Sequence, residues 1–116
     1  MVRRVAAGVA DVCCVLVFVL IGRASHDEAA SLGGFVTTAW PFLVGLAVGW
    51  GVTRAWREPF GFLPAAGIWV MTVAVGMVLR AVSGQGTAVA FVVVATVFTG
   101  VTLLGWRLAT RRLVTS

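Results

Sequence analysis

Charged residues are scarce in this sequence, and lysine is missing altogether. The 116 residues include four acidic side chains and nine basic ones, and all nine basic residues are arginines. Charged residues make up 11% of the chain and hydrophobic residues 60%, whereas a soluble domain averages about 25% charged residues. So few charges could not cover a water-facing surface. The composition therefore predicts that most of the surface contacts lipid.

The residue types that usually carry catalysis or bind metals are equally scarce. His26 is the one histidine, and the two cysteines, Cys13 and Cys14, are adjacent within an apolar run, without metal-ligand spacing. We interpret both cysteines as small apolar residues and expect neither a cofactor nor a metal site. No nucleophile–base pair or phosphate-binding loop is present, so the sequence does not predict an enzyme. The arginines punctuate apolar runs instead of forming a solvated patch, which argues against nucleic-acid binding.

Four apolar stretches are separated by short polar links. The stretches cover residues 5–21, 35–52, 62–79 and 87–104, and each approaches the ~20 residues that a helix needs to cross a hydrocarbon core. An open strand in lipid would leave its backbone groups unpaired, so helices are favoured despite the many valines. The sequence therefore predicts an all-α fold. It consists of one integral membrane domain, residues 1–116, forming a four-transmembrane-helix bundle of two antiparallel hairpins.

The distribution of arginine predicts the orientation of this bundle. Seven arginines fall on one side of the predicted membrane, namely Arg3, Arg4, Arg54, Arg57, Arg107, Arg111 and Arg112. The other side holds two, Arg23 and Arg80. Because cytoplasmic segments carry the excess of positive charge, both termini are expected in the cytoplasm. The predicted localisation is a cell membrane crossed several times, with the lipid bilayer as the main partner.

Asp11 is the most unusual residue of the predicted spans. It lies roughly six residues, or ~9 Å, inside the first span, where a carboxylate costs roughly 2.5–3.5 kcal/mol unless it is paired or hydrated. Helical spacing places it on one face with Val15 and Phe18, and that face should turn inward. Arg107 and Arg54 are candidate partners at a similar depth. Asp11 could form a structural ion pair between the first and fourth helices, or it could be a proton or cation site.

A second set of polar residues is predicted near the opposite end of the bundle. Its members are Arg23, His26, Asp27, Glu28, Thr37, Thr38, Trp40, Arg80 and Gln85. Two arginines there could bind a carboxylate or phosphate, because guanidinium matches both groups bidentately. Alternatively, Arg23 and Arg80 extend to lipid phosphates. His26 is included because histidine titrates near physiological pH.

Small residues at helical spacing predict close packing between the spans. Gly45 and Gly49 share one face of the second span, and Gly76 and Gly100 lie on the third and fourth. Such residues let helix backbones approach without lipid between them. Pro41 should either begin the regular second helix or kink it. A kink would free a backbone carbonyl that then needs another partner.

Several short segments together resemble a known family. These are Asp11, Gly22-Arg23 with His26, Thr38-Ala39-Trp40-Pro41-Phe42, Gly49-Trp50, Gly76-Met77 with Arg80, and Gly105-Trp106-Arg107. Over nearly the whole chain the pattern resembles the small membrane proteins grouped as domain of unknown function 3054. The resemblance implies a bacterial inner-membrane protein, in a family found largely in actinobacteria. It implies no activity.

Three functions are compatible with these features. The first is a small transporter or channel-like homo-oligomer, in which Asp11 responds to protons or cations and Arg23 and Arg80 guard the outer mouth. The alternative is a structural or assembly subunit of a membrane complex, with no ligand of its own, docked to another membrane protein. The third is a membrane enzyme or lipid-binding protein that uses the outer polar residues. The candidate binding residues are Asp11, Arg23, His26, Trp40, Arg80 and Arg107.

Overall fold

The computed structural model of the chain describes residues 2–25, 32–86 and 88–115, which form four long helices. α1 spans Val2–Ser25, α2 spans Leu32–Thr53, α3 spans Phe62–Val82 and α4 spans Val89–Thr115. A single 3-10 turn, Ala55–Arg57, lies in the link between α2 and α3. Within the described ranges there is no β-strand. The predicted all-α fold with four helices is confirmed.

The observed helices extend beyond the predicted spans, and α4 does so most. Its apolar run was expected to end at Leu104, yet the helix continues to Thr115. The arginine that interrupts the run, Arg107, is not at a helix end exposed to water, since its side chain has no solvent exposure. A buried carboxylate inside the bundle neutralises its charge, so the helix continues through this position without interruption.

All four helices are long and apolar enough to cross a membrane. The candidate spans cover Val2–Gly22, Gly33–Thr53, Phe62–Val82 and Val89–Arg112, and only 22–33% of each is buried inside the protein. Large apolar side chains fill the outer surface; Leu63, for example, is 86% exposed and Val101 is 66% exposed. Contiguous apolar surface of this extent is typical of a lipid-facing wall.

The helices pack in chain order around the bundle, and α2 and α3 make the closest pair. A Cβ atom on Gly45 would lie 2.8 Å from the backbone oxygen of Thr72, and one on Gly49 would lie 2.8 Å from the Cα of Ile68. These two backbones therefore approach at a distance that only glycine allows. The predicted role of the small residues in packing is confirmed at this interface.

The centre of the bundle is an aromatic cluster. Phe18 on α1 meets Phe42 on α2 edge to face, with ring centroids 5.3 Å apart, and lies 5.9 Å from both Phe91 and Phe98 on α4. Edge-to-face contacts of this kind add to the stabilisation from buried area. Phe18 and Val15 are buried on the same side of α1 as Asp11, as the helical spacing predicted.

Of the two alternatives for Pro41, the start of the second helix is wrong, because Pro41 lies inside α2. Because proline has no N–H, the carbonyl of Thr37 four residues earlier loses its helical donor. The side chain of Gln85, in the link between α3 and α4, supplies a replacement, with its Nε2 donating to the Thr37 oxygen at 3.0 Å. The predicted need for a partner at this carbonyl is thus met by a residue 48 positions away.

Candidate functional site: a buried aspartate–arginine pair

Asp11 and Arg107 form a bidentate ion pair between α1 and α4. Arg107 Nη1 donates to Asp11 Oδ1 at 2.9 Å, and Nη2 donates to Oδ2 at 2.8 Å. Both side chains are fully buried. Parallel N–H···O bonds of this kind are stronger and more directional than a point-charge contact. Of the two partners that the sequence offered for Asp11, the structure selects Arg107.

Two tryptophans complete the shell around the carboxylate. Trp50 Nε1, near the end of α2, donates to Asp11 Oδ2 at 2.8 Å, and Trp106 Nε1 on α4 donates to Oδ1 at 2.8 Å. Each carboxylate oxygen therefore accepts one indole and one guanidinium hydrogen bond. Because a carboxylate offers about four lone-pair sites in all, no acceptor position is left for a further donor.

The guanidinium of Arg107 uses four of its five N–H groups, two of them on Asp11. Its Nε donates to the backbone oxygen of Pro59 at 2.9 Å, and Nη1 also donates to the oxygen of Leu103 at 3.0 Å. Pro59 lies in the 54–61 link, so the arginine ties this link to the bundle as well as α1 to α4. Among the described residues, no buried side-chain nitrogen or oxygen lacks a hydrogen-bond partner.

This arrangement is suited to holding helices together and poorly suited to exchanging protons. The carboxylate joins α1, α2 and α4, and the arginine adds the 54–61 link. Any proton or cation bound by Asp11 would have to displace one of four hydrogen bonds in a site without solvent exposure. Removing either partner would instead leave an uncompensated buried charge, which is strongly unfavourable.

Sequence reasoning identified the two charges of this site but not its neutral members. Trp50 and Trp106 lie near the ends of predicted spans, where tryptophan commonly anchors a helix to the membrane interface, and Pro59 lies in the link between the second and third spans. No feature of the sequence separates these two tryptophans from interfacial anchors, because Trp50 lies two residues before the predicted end of the second span and Trp106 two residues beyond that of the fourth. Their role follows from the structure, in which both indole N–H groups donate to the buried Asp11 carboxylate.

Arg80, at the other end of the bundle, turns towards the link that follows α3. Its side chain is 9% exposed. Its Nε donates to the oxygen of Gly86 at 3.0 Å, Nη1 donates to Gln85 Oε1 at 3.0 Å, and the guanidinium lies 4.1 Å from the centroid of the Phe91 ring. The interpretation that Arg80 extends to lipid phosphates is therefore wrong, because these contacts direct its guanidinium into the bundle end.

A cleft adjoins Arg80, with a volume of about 480 Å³. It lies between α1, α2 and the start of α4, and it is lined by apolar side chains such as Phe18 and Phe91 together with the polar Thr37, Thr38 and Gln85. Its size falls within the range of small-molecule sites.

Of the remaining predicted site residues, Trp40 is the one whose side chain lies within the described part of the chain. Trp40 is 38% exposed on α2 and does not line the cleft. His26, Asp27 and Glu28 lie outside the described residues, as does the side chain of Arg23, so their predicted convergence stays a prediction.

Fold and site together define the class: this is a multi-pass α-helical membrane protein whose helices are joined by a buried charge pair. A protein-family comparison specifies it further, because the family of proteins of unknown function termed DUF3054 matches residues 8–110. The chain belongs to that family, as the resemblance indicated. No curated protein and no solved structure matches the chain.

Proposed function

We propose that the protein resides in a bacterial inner membrane, with the start of α1 and the end of α4 in the cytoplasm. The support is the placement of arginine: Arg3, Arg57 and Arg111 lie at the same end of the bundle as Arg107. The opposite end has only Arg23 and Arg80. Positive charge is retained on the cytoplasmic side during insertion, so this distribution favours a single orientation.

We propose further that the chain acts as a structural or assembly subunit rather than as a proton- or cation-coupled transporter. The observation that carries this proposal is the complete hydrogen bonding of the Asp11 carboxylate by Arg107, Trp50 and Trp106. A coupling carboxylate must bind and release its ion through a wet path. This carboxylate has no solvent exposure.

Proteoliposomes provide the test of this function. Purified protein is reconstituted, a pH gradient is imposed, and its dissipation is compared with that in empty liposomes. We expect no dissipation attributable to the protein, while Asp11→Asn reduces the amount of folded, protease-resistant protein in membranes. Rapid proton flux through wild-type protein, lost in a correctly folded Asp11→Asn variant, would contradict the proposal.

Assembly with another membrane protein is tested by photo-crosslinking in native membranes. A photoreactive residue at Val101 samples the outer wall of α4, and one at Leu20 samples the outer wall of α1; the two side chains are 66% and 59% exposed. We expect at least one wall to give a protein adduct of discrete mass. Adducts with lipid alone at both positions count against a subunit role.

A small transporter or channel-like oligomer is the second candidate, and the cleft beside Arg80 is the observation that favours it. The test fills the cleft by Ala90→Trp, with Val93→Trp as a control, because Ala90 lines the cleft whereas Val93 lies 54% exposed on α4. A small carboxylate or phosphate that raises the melting temperature of wild type and of the control, but not of Ala90→Trp, would support this candidate. No such ligand would argue against it.

A further inference from the structure

A second cavity lies at the Arg107 end of the bundle, and we call it the basic groove. It has a volume of about 930 Å³ and is formed by the first turn of α1, the 54–61 link, the start of α3 and the last turns of α4. Its charged lining consists of Arg3, Arg4, Arg57, Arg111 and Glu58. Four guanidinium groups therefore surround a single carboxylate.

Two aromatic rings of the groove, Phe60 and Phe62, contact its arginines, and Phe60 also packs against the core. The guanidinium of Arg3 lies 4.8 Å from the centroid of Phe60, and that of Arg111 lies 4.9 Å from the centroid of Phe62. Phe60 in turn meets Trp106 edge to face at 5.3 Å, and Trp106 donates to Asp11. Contact with a ring face orients a guanidinium, and the N–H edge that lies away from the ring is the edge that binds anions.

Three arginines of the groove have no paired carboxylate in the part of the chain that the structure describes. There, no ion pair joins Arg3, Arg4 or Arg57 to a carboxylate. All three side chains are exposed. This contrasts with Arg107, which is fully buried and forms an ion pair with Asp11. Exposed guanidinium groups concentrated in one concave site favour an anionic partner.

The position of the groove relative to the candidate spans indicates the source of that anion. The first and third spans begin at Val2 and Phe62, and the second and fourth end at Thr53 and Arg112. The groove lies where these four ends meet, which is the level of the lipid headgroups when the helices cross a bilayer. Basic pockets between transmembrane helices at that level bind anionic phospholipids.

We propose that the basic groove binds the phosphate of an anionic phospholipid headgroup, with Arg3, Arg4 and Arg57 as its ligands and Arg111 closing the α4 side. The exposed Leu63 and Trp56 at the rim of the groove contact the upper acyl chain. Glu58 disfavours a second anion and limits the site to one headgroup. This site does not depend on whether the chain acts as an assembly subunit or as a transporter.

Native mass spectrometry of the detergent-solubilised protein tests the site with dioleoylphosphatidylglycerol as the probe. A one-to-one adduct is expected. Phosphatidylcholine with the same acyl chains should bind at least about tenfold more weakly, because each of the three arginine ligands contributes about 1 kcal/mol near an anionic lipid and the choline cation opposes that attraction. Equal binding of the two lipids would overturn the proposal.

Matched pairs of variants distinguish a specific lipid site in the groove from general attraction between anionic lipid and the basic end of the bundle. Arg3→Gln with Arg57→Gln removes two charges from the groove. Arg54→Gln with Arg112→Gln removes two exposed charges from the same end of the bundle but outside the groove. The first pair should weaken phosphatidylglycerol binding by at least about tenfold and the second by no more than about twofold. Equal losses would show that the groove is no site.

A variant that binds lipid more tightly provides a further test, because misfolding would weaken binding and not strengthen it. Glu58→Gln removes the one acidic side chain of the groove and should tighten phosphatidylglycerol binding about threefold, since a like charge no longer opposes the phosphate. No tightening contradicts the placement of the headgroup beside Glu58. Millimolar inorganic phosphate should leave the lipid adduct intact. Displacement by inorganic phosphate would identify a soluble anion as the ligand and overturn the assignment to lipid.

Discussion

Removal of the Asp11 carboxylate should strongly destabilise the protein. Asp11→Ala leaves the Arg107 guanidinium buried without its counter-charge, and breaking a buried pair in this way costs about 3–5 kcal/mol. The indole N–H groups of Trp50 and Trp106 lose their acceptor at the same time, at a cost of about 1–3 kcal/mol for each group that finds no other partner. We therefore expect the free energy of unfolding to fall by at least about 3 kcal/mol.

The double variant, Asp11→Ala with Arg107→Met, measures how strongly the contributions of the two charges to stability depend on each other. It removes both charges, and replacement of a buried pair by apolar side chains is often nearly neutral. The two single losses should therefore exceed the loss in the double variant by at least about 2 kcal/mol. We expect the double variant to be more stable than either single variant, although it lacks more of the native contacts.

Unfolding by sodium dodecyl sulfate in mixed micelles, followed by circular dichroism, provides the measurement. Glu58→Ala is the matched control because its carboxylate is exposed, and its loss should change stability by no more than about 0.5 kcal/mol. The reasoning is refuted if Asp11→Ala costs no more than Glu58→Ala. It is also refuted if the losses from the two single variants simply add.

Three further outcomes are expected from the packing and the orientation. Trp50→Phe should lower the free energy of unfolding by about 1.5–3 kcal/mol because it removes a hydrogen bond to a charged group. The control Trp56→Phe, at a side chain that is 41% exposed, should lower it by at most about 0.5 kcal/mol. Equal losses would contradict the role of the indole donor. Gly45→Ala should destabilise the protein by about 1–3 kcal/mol, since the new Cβ would lie 2.8 Å from a backbone oxygen. The control Gly105→Ala should be neutral or slightly stabilising in the same unfolding assay, because a Cβ there has no atom within 4 Å. Ser83→Cys, in a background with serine at both native cysteine positions, should react with a membrane-impermeant maleimide in intact cells, and labelling only after lysis would reverse the proposed orientation.

The helices and the charge pair could be predicted from the sequence because both follow from the behaviour of lipid as a solvent. Apolar runs of the right length have one stable backbone conformation in hydrocarbon. A carboxylate inside such a run needs a cation at the same depth, and Arg107 was one of two candidates. The choice between Arg107 and Arg54 required the structure, because α2 and α4 both pack against α1, and only the fold shows that Arg107 is buried whereas Arg54 is exposed.

The neutral donors of the site could not be predicted because tryptophan has two common roles near a membrane surface. A ring at the end of a span can anchor the helix to headgroups, or it can turn inward and donate to a buried acceptor. Trp40 and Trp56 are substantially exposed, whereas Trp50 and Trp106 donate to Asp11. Sequence position alone does not distinguish these two outcomes, since the rotation of each helix decides which way the ring points.

Pro41 shows which part of a contact can be predicted from local sequence. Its missing N–H predicted a carbonyl in need of a donor, and that need is real. The identity of the donor, Gln85, depends on the fold of the link after α3, where Arg80 also binds Gln85 and Gly86. Arg80 was interpreted as a lipid contact because arginines at helix ends commonly extend to headgroups, but nearby backbone and side-chain acceptors hold it inside.

The ion pair at the Arg107 end also has a consequence for the order in which the chain is made. Asp11 and Arg107 are 96 residues apart in the sequence, and at about 5–20 residues per second translation needs roughly 5–20 s to bridge that interval. During this time the first helix carries a carboxylate whose permanent counter-ion does not yet exist. A nascent chain arrested before the fourth helix emerges therefore retains a bare anionic group at membrane depth, which distinguishes an unfinished polypeptide from a completed one.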